Sequence, residues 1–298
     1  MTPGEWQLFL LEWMGNMLLM EQANRQQEDV MEDIAEKWKK AGCKVMVMKG
    51  QAHGRLYPHP LHRTTGDIDV YLFGNYAKGN EVAKEIGANV DESWYKHSVI
   101  SYKGETIENH QYFVTTRTGK GSRRLEKDLE DELMKEKSFE QLTPSTVMPP
   151  VQWTGMFMTY HSCSHFLSEG LRLKQLLDWA MLLWEHQDDI DWQKFYVFCE
   201  KHHLGRFADV STAIAKEYLG VNIHNNEIRV KSPYVKRVLE SVFYDDDFVF
   251  GSGKGNWYNR FHLVRNLWTY RWKYREIYQM SPLRKLWYYA TGFILKTE

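Results

Sequence analysis

Cysteine is scarce in this chain of 298 residues: Cys43, Cys163 and Cys199 are odd in number and nowhere spaced Cys-x-x-Cys. That excludes a disulfide framework and a cysteine-built zinc site, and it suits a reducing compartment, so a cytoplasmic location is expected. A surplus of one charge sign is missing too, since 38 Lys and Arg stand against 39 Asp and Glu for a formal net charge of -1. The chain as a whole therefore has no pull on nucleic acid or an anionic membrane. Long apolar runs are lacking. Met1 to Met20 carries Glu5 and Glu12 and no basic leading region, so neither a transmembrane segment nor a secretory signal is expected. Internal repeats and low-complexity tracts are also absent.

What is present is ordinary for a globular protein, with 43% hydrophobic and 26% charged residues. The length exceeds a usual single core, which predicts two domains. Trp6 to Lys40 reads as a helix that stops at Ala41-Gly42. Lys44 to Met48 reads as a strand, and Lys49-Gly50 opens a helical stretch through Leu56, ahead of Pro58 and Pro60. A strand from Asp67 to Leu72, a helix from Asn75 to Gly87, and strands at Val99–Tyr102 and Glu105–Val114 complete an α/β (α+β) region with a mixed sheet. From about Thr146, past Pro149-Pro150, the texture becomes helical, with segments at Gln152–Phe166, Leu171–His186, Asp191–His203 and Ala208–Leu219. The expected division is residues 1–145 as an α/β domain with N-terminal helices and 146–298 as an all-helical domain, with a site in the cleft between them.

Gly66-Asp67-Ile68-Asp69-Val70 is the chemical centre of the sequence. Side chains alternate along a strand, so Asp67 and Asp69 share one face while Ile68 and Val70 leave it. Like charges this close repel unless a divalent cation stands between them and a polyphosphate, which is the logic of metal-assisted phosphoryl or nucleotidyl transfer. A pair at an exposed strand end is also ordinary turn chemistry. Glu108, in Thr106-Ile107-Glu108-Asn109-His110, either joins the aspartates as a third acid or faces solvent on a half-buried sheet.

Met48-Lys49-Gly50-Gln51-Ala52-His53-Gly54-Arg55-Leu56-Tyr57-Pro58, then Arg63, then Gly66-Asp67-Ile68-Asp69-Val70, resembles the uncharacterised nucleotidyltransferase family of the polymerase-β-like superfamily in order and spacing. Glu108-Asn109-His110 looks like that family's later acid ahead of a His, with one residue between. Arg172-Leu173-Lys174-Gln175-Leu176-Leu177-Asp178-Trp179-Ala180 is similar to its Arg-Leu-basic-x-Leu-Leu-Asp segment. The resemblance implies a nucleotidyltransferase-type first domain that uses Mg²⁺ or Mn²⁺ and an NTP. Asp67 and Asp69 would hold metal and triphosphate, and Glu108 would complete a second metal site and assist deprotonation of the acceptor hydroxyl. The acceptor class stays open: RNA, protein, a small molecule or a polysaccharide precursor. A non-catalytic nucleotide-binding regulatory protein, or one half of a toxin–antitoxin-like pair, is the alternative.

The strand-to-helix junction at Lys49-Gly50 would offer backbone N–H groups and a dipole to phosphate, with Gly50 allowing close approach. The superfamily more commonly has Gly-Ser there. Lys49 adds a point charge or is merely solvated, and Arg63 either reaches phosphate or braces the loop, with Gly66, onto Asp67. His165, Arg172, Lys174 and Asp178 are expected to line the cleft, with Asp178 first read as a buried partner for an arginine. His161, Cys163 and His165 read as helix packing, because the cysteine points away from the two histidines. Gly119–Arg124 and Gly251–Gly255 read as mobile surface loops and Asp245-Asp246-Asp247 as a solvated turn. The basic, aromatic segment 260–298 is either a packing element with exposed cations or a contact for a polyanion or membrane surface, as for a peripheral partner in surface-polysaccharide assembly.

Overall fold

The computed structural model describes residues 2–64, 66–168, 170–244, 265, 268–281 and 283. The Asp245–Asp247 run, the Gly251–Gly255 stretch and most of the basic segment 260–298 lie outside the described residues. The chain forms two compact units, Met1–Val114 with Leu133–Pro150, and Thr115–Glu132 with Val151–Glu298.

The first unit is built on helix α1 (Pro3–Lys40), started by a capping box in which Thr2 and Glu5 bond each other's backbone N–H. Its second half buries Met31, Ile34, Ala35 and Trp38 at helical spacing, whereas Trp6, Leu8, Leu11 and Leu18 in its first half are exposed. Strands β1 (Met46–Val47), β2 (Ile68–Tyr71), β3 (Asn89–Asp91), β4 (His97–Tyr102), β5 (Glu105–His110), β6 (Gln141–Thr143) and β7 (Thr146–Val147) form a seven-stranded mixed sheet in the order β3-β4-β5-β2-β1-β7-β6. Strands β2 and β5 run parallel with Asp69 opposite Glu108, and β4 pairs antiparallel to β5 with His97 opposite His110. Alternation sends Ile68, Val70, Ile107 and Ile100 into one core with α1, where Trp38 and Ile34 have no exposed surface. The acids and histidines take the other face.

Helix α3 (Tyr76–Glu85) is tied beneath β4 and β5 by a buried amide network. Asn80 Oδ1 accepts from Ser98 Oγ at 2.6 Å and from Asn109 Nδ2 at 2.8 Å, and Asn109 Nδ2 also donates to the Tyr76 carbonyl at 3.0 Å. Three expectations change. The helix after Gly50 is a single turn, α2 (Gln51–Gly54), rather than a stretch to Leu56. The strand from Glu105 ends at His110, because Gln111 and Tyr112 both donate their N–H to the Lys96 carbonyl. Strands β3, β6 and β7 were not anticipated, being only two or three residues long and without a readable period.

In the second unit the described regular elements are helical: α4 (Lys120–Leu133), α5 (Val151–Ser168), α6 (Leu173–His186), α7 (Trp192–Lys201), α8 (Gly205–Tyr218) and α9 (Val235–Tyr244), with short 3₁₀ and π turns. Gly119–Arg124 is thus no surface loop but the start of α4, whose Leu125 and Leu129 are buried. Trp153, Phe157, Trp179, Trp192 and Phe195 make an aromatic core; Trp153 Nε1 donates to the Leu129 carbonyl at 3.0 Å and Trp179 Nε1 to Thr212 Oγ1 at 3.0 Å. Of the basic segment, Lys273–Ile277 packs on α5, where Tyr274 donates to the Leu167 carbonyl at 2.7 Å. Asp209 on α8 has an oxygen buried without a hydrogen-bond partner. Burial, with Glu200 nearby, pushes its carboxyl up to about 6 against the pull of Arg229.

Replacing Asn80 with Leu orphans buried polar groups on Ser98 and Asn109, at about 1–3 kcal/mol for each group left unpaired. Urea unfolding should show that loss, and an unchanged midpoint would refute the network's role. Asp209 binds its proton more tightly folded than unfolded, so its contribution to stability declines as pH rises from about 4 to 6. Asp209→Asn should flatten that decline and raise the melting temperature at pH 7; a lower melting temperature at pH 7 would reverse the assignment.

Candidate carboxylate and histidine site

Three elements of the first unit deliver the site. Strand β2 carries Asp69 just inside its first residue, with Asp67 in the turn before it. Strand β5 carries Glu108 and His110 on the same face, because its parallel register sets Asp69 beside Glu108 and Tyr71 beside His110. Lys49 follows β1, antiparallel to β2, and so points back along the same edge. One oxygen each from Asp67, Asp69 and Glu108 lies within 4.8 Å of the others.

Asp69 is the most enclosed of these acids, 1% exposed, whereas Asp67 is 37% and Glu108 20% exposed. Its Oδ2 lies 2.7 Å from Lys49 Nζ and its Oδ1 lies 3.0 Å from His110 Nε2. Lys49 Nζ is also 3.7 Å from Asp67, and His110 Nε2 is 3.2 Å from Glu108 Oε2. Burial by itself would protonate Asp69, but Lys49 and His110 hold its carboxyl well below the usual carboxylate range. Burial would likewise discharge Lys49, yet Asp69, Asp67 and Glu108 keep its pKa above the ordinary lysine value. His110 is buried too, and its hydrogen bonds to Asp69 and Glu108 raise its pKa. Burial takes the neighbouring His97 the other way, down to about 4, against the pull of Glu108.

The loop into Asp67 is clamped from below by α1. Asn24 Nδ2 donates to the carbonyls of Leu61 at 2.6 Å and Arg63 at 3.0 Å, and Gln27 Nε2 donates to the Gly66 carbonyl. Arg63 is buried, and its guanidinium donates to the carbonyls of Gly50 at 3.1 Å and Thr64 at 3.4 Å. Gly50 has φ +64°, a conformation strained for any residue with a side chain, so the turn between Lys49 and α2 needs glycine. With only one turn of helix behind it, that junction has little dipole to offer phosphate. A Cβ on Gly66 would meet nothing within 4 Å, so this glycine borders open space.

Residues 7–220 match the family described as Uncharacterised nucleotidyltransferase. The chain belongs to that family. No curated protein matches it. Among solved structures, the solution structure of the antibiotic-resistance factor ANT(2'')-Ia is similar over 59% of this chain and 90% of that chain, with a TM-score of 0.43 and 11% identity.

In this nucleotidyltransferase-family protein, Lys49, Gly50, Arg63, Gly66, Asp67, Asp69 and Glu108 all fall in the first unit. Lys174, on the first turn of α6, falls in the second, as do His165, Arg172 and the buried Asp178. His161 and His165 bring their Nε2 atoms to 3.2 Å on α5, and Cys163 is buried and joins them in no cluster of three ligands among the described residues. Sequence reasoning missed His97, Asn24 and Gln27. His97 opens the alternating strand β4 and was legible in principle; the two amides sit among charges on α1 with nothing local to mark them.

Removing the Lys49 charge leaves a buried carboxylate short of a partner. Lys49→Met should cost about 3 kcal/mol or more in urea unfolding without divalent ions. Mn²⁺ should restore part of that loss and raise the variant's melting temperature more than the wild type's. Equal shifts in both would remove Lys49 from the charge balance.

Proposed function

We propose that this protein is a metal-dependent nucleotidyltransferase that moves a nucleoside monophosphate from an NTP to an acceptor hydroxyl and releases pyrophosphate. The observation that carries the reading is the convergence of Asp67, Asp69 and Glu108 beside Lys49. Three hard oxygen donors within 4.8 Å of one another fit Mg²⁺ or Mn²⁺ better than they fit one another. Asp67, Asp69 and Glu108 would hold the ions, which when bound would supply charge neutralisation of the triphosphate and acidify the acceptor hydroxyl.

The chain's own groups do the rest. Asp67, the most exposed of the three acids, meets the incoming nucleotide first. Lys49, on a flexible stem beside Asp69 and Asp67, is suited to pair with a phosphate oxygen as well as with a carboxylate. Gly66 leaves room for close approach of phosphate, and Arg63 supports the Gly50 turn. Glu108 accepts the acceptor's proton. The second unit is read as a helical domain, with Lys174 as its contribution to nucleotide binding. Segment 260–298 is the part of the sequence best suited to a polyanionic acceptor such as RNA.

Titration calorimetry with Mn²⁺ and each NTP, run beside a pyrophosphate-release assay over an acceptor panel, tests this. Glu108→Gln should lower release by about 100-fold or more with nucleotide binding largely kept. Asp67→Ala and Asp69→Ala should abolish metal-dependent binding. If both left binding and turnover unchanged the reading would be wrong, and tight binding without release by any acceptor would favour a nucleotide sensor.

A further inference from the structure

Glu108 has a second set of neighbours. His97 of β4 stands directly opposite His110 of β5, and both rings turn toward the Glu108 carboxylate. His97 Nδ1 is 3.4 Å and His110 Nε2 is 3.2 Å from Glu108 Oε2, and one ligand atom from each of the three residues lies within 4.8 Å of the others. Metal–nitrogen bonds of about 2.0–2.1 Å place adjacent donors of one cation about 3.0–3.4 Å apart, which is the spacing to Glu108 here.

The hydrogen bonds favour the same conclusion. His110 Nδ1 lies 3.1 Å from the Tyr112 carbonyl, which can only accept, so Nδ1 carries a proton. With Nδ1 so committed, Nε2 faces Asp69 Oδ1 and Glu108 Oε2 and shares a proton with those carboxylates, a position that a cation would take in the proton's place. A ring N–H given to a backbone carbonyl is the usual support of a ligating histidine. His97 Nδ1 is buried with no hydrogen-bond partner, an expense that a cation at that atom would remove.

We propose that His97, Glu108 and His110 form a second cation site, adjoining the three-carboxylate group, that takes a nitrogen-accepting divalent transition ion such as Mn²⁺ or Zn²⁺ in preference to Mg²⁺. Mixed imidazole and carboxylate donors favour those ions, whereas Mg²⁺ prefers oxygen alone. The site rests on the nucleotidyltransferase reading only in sharing Glu108.

Pulsed electron paramagnetic resonance of the full-length protein loaded with Mn²⁺ reads the donors directly. Nitrogen-14 couplings from imidazole are expected in the wild type, reduced in His97→Gln together with a fall in Mn²⁺ affinity of about 10-fold or more, and retained in Asp67→Asn. Bound Mn²⁺ without nitrogen coupling would overturn the proposal and leave the carboxylate reading standing. Nitrogen coupling in a wild-type protein that turns over no NTP would support the proposal and count against the reading instead. Absence of any Mn²⁺ binding would overturn it outright.

Discussion

A carboxylate with almost no access to water dominates the first unit. Asp69 sits on a central strand, and a buried ion survives only if opposite charge or hydrogen bonds replace the water it has lost. Lys49 and His110 supply that replacement from the strands on either side, one at each oxygen. The consequence reaches back into the fold. A slip of one residue between β2 and β5 would carry Glu108 and His110 to the α1 side and leave Asp69 uncompensated, so the register of the sheet and the charge balance of the site are a single requirement.

The opposite face of the sheet bears the cost of holding these groups still. Helix α1 does two jobs there: Met31, Ile34 and Trp38 close the core, while Gln27 and Asn24, one and two turns earlier, grip the loop that leads into Asp67. The Asn80 network holds β4 and β5 against α3 from the same side. Rigid support on one face and crowded charge on the other are what a site for cations and phosphate requires, since the like-charged acids must already be close before a cation arrives. The family match spans residues 7–220, a range that includes strand β2.

Glu108 gives the site its unevenness. Toward β2 it faces oxygens and toward β4 it faces nitrogens, and these two surroundings differ in the cations they suit. His97 and the more deeply buried His110 shift in opposite directions, since His110 has two carboxylates against one ring nitrogen while His97 Nδ1 only approaches Glu108. Partners outweigh depth: the deeper ring is the one whose pKa rises.

Much of this was legible locally. Alternation along Asp67-Ile68-Asp69-Val70, the glycine at position 50 and the long helical periods of the second unit are properties of neighbouring residues, and neighbouring residues decide them. The one-turn length of α2 and the short strands β3, β6 and β7 were not, because tertiary pairing decides segments too short to show a period; the helix beginning at Lys120 does have a period, with Leu125, Leu129 and Leu133 four apart, behind a glycine-rich start that reads as a loop. The sequence alone determined that two acids share a strand face and that a lysine and a third acid lie within reach along the chain. Only the tertiary structure decided that β5 runs beside β2 in the register that gathers all three acids, adds His97 from an adjacent strand and buries Asp69. Strand pairing between residues some forty positions apart, and the loss of water that follows it, have no local signature.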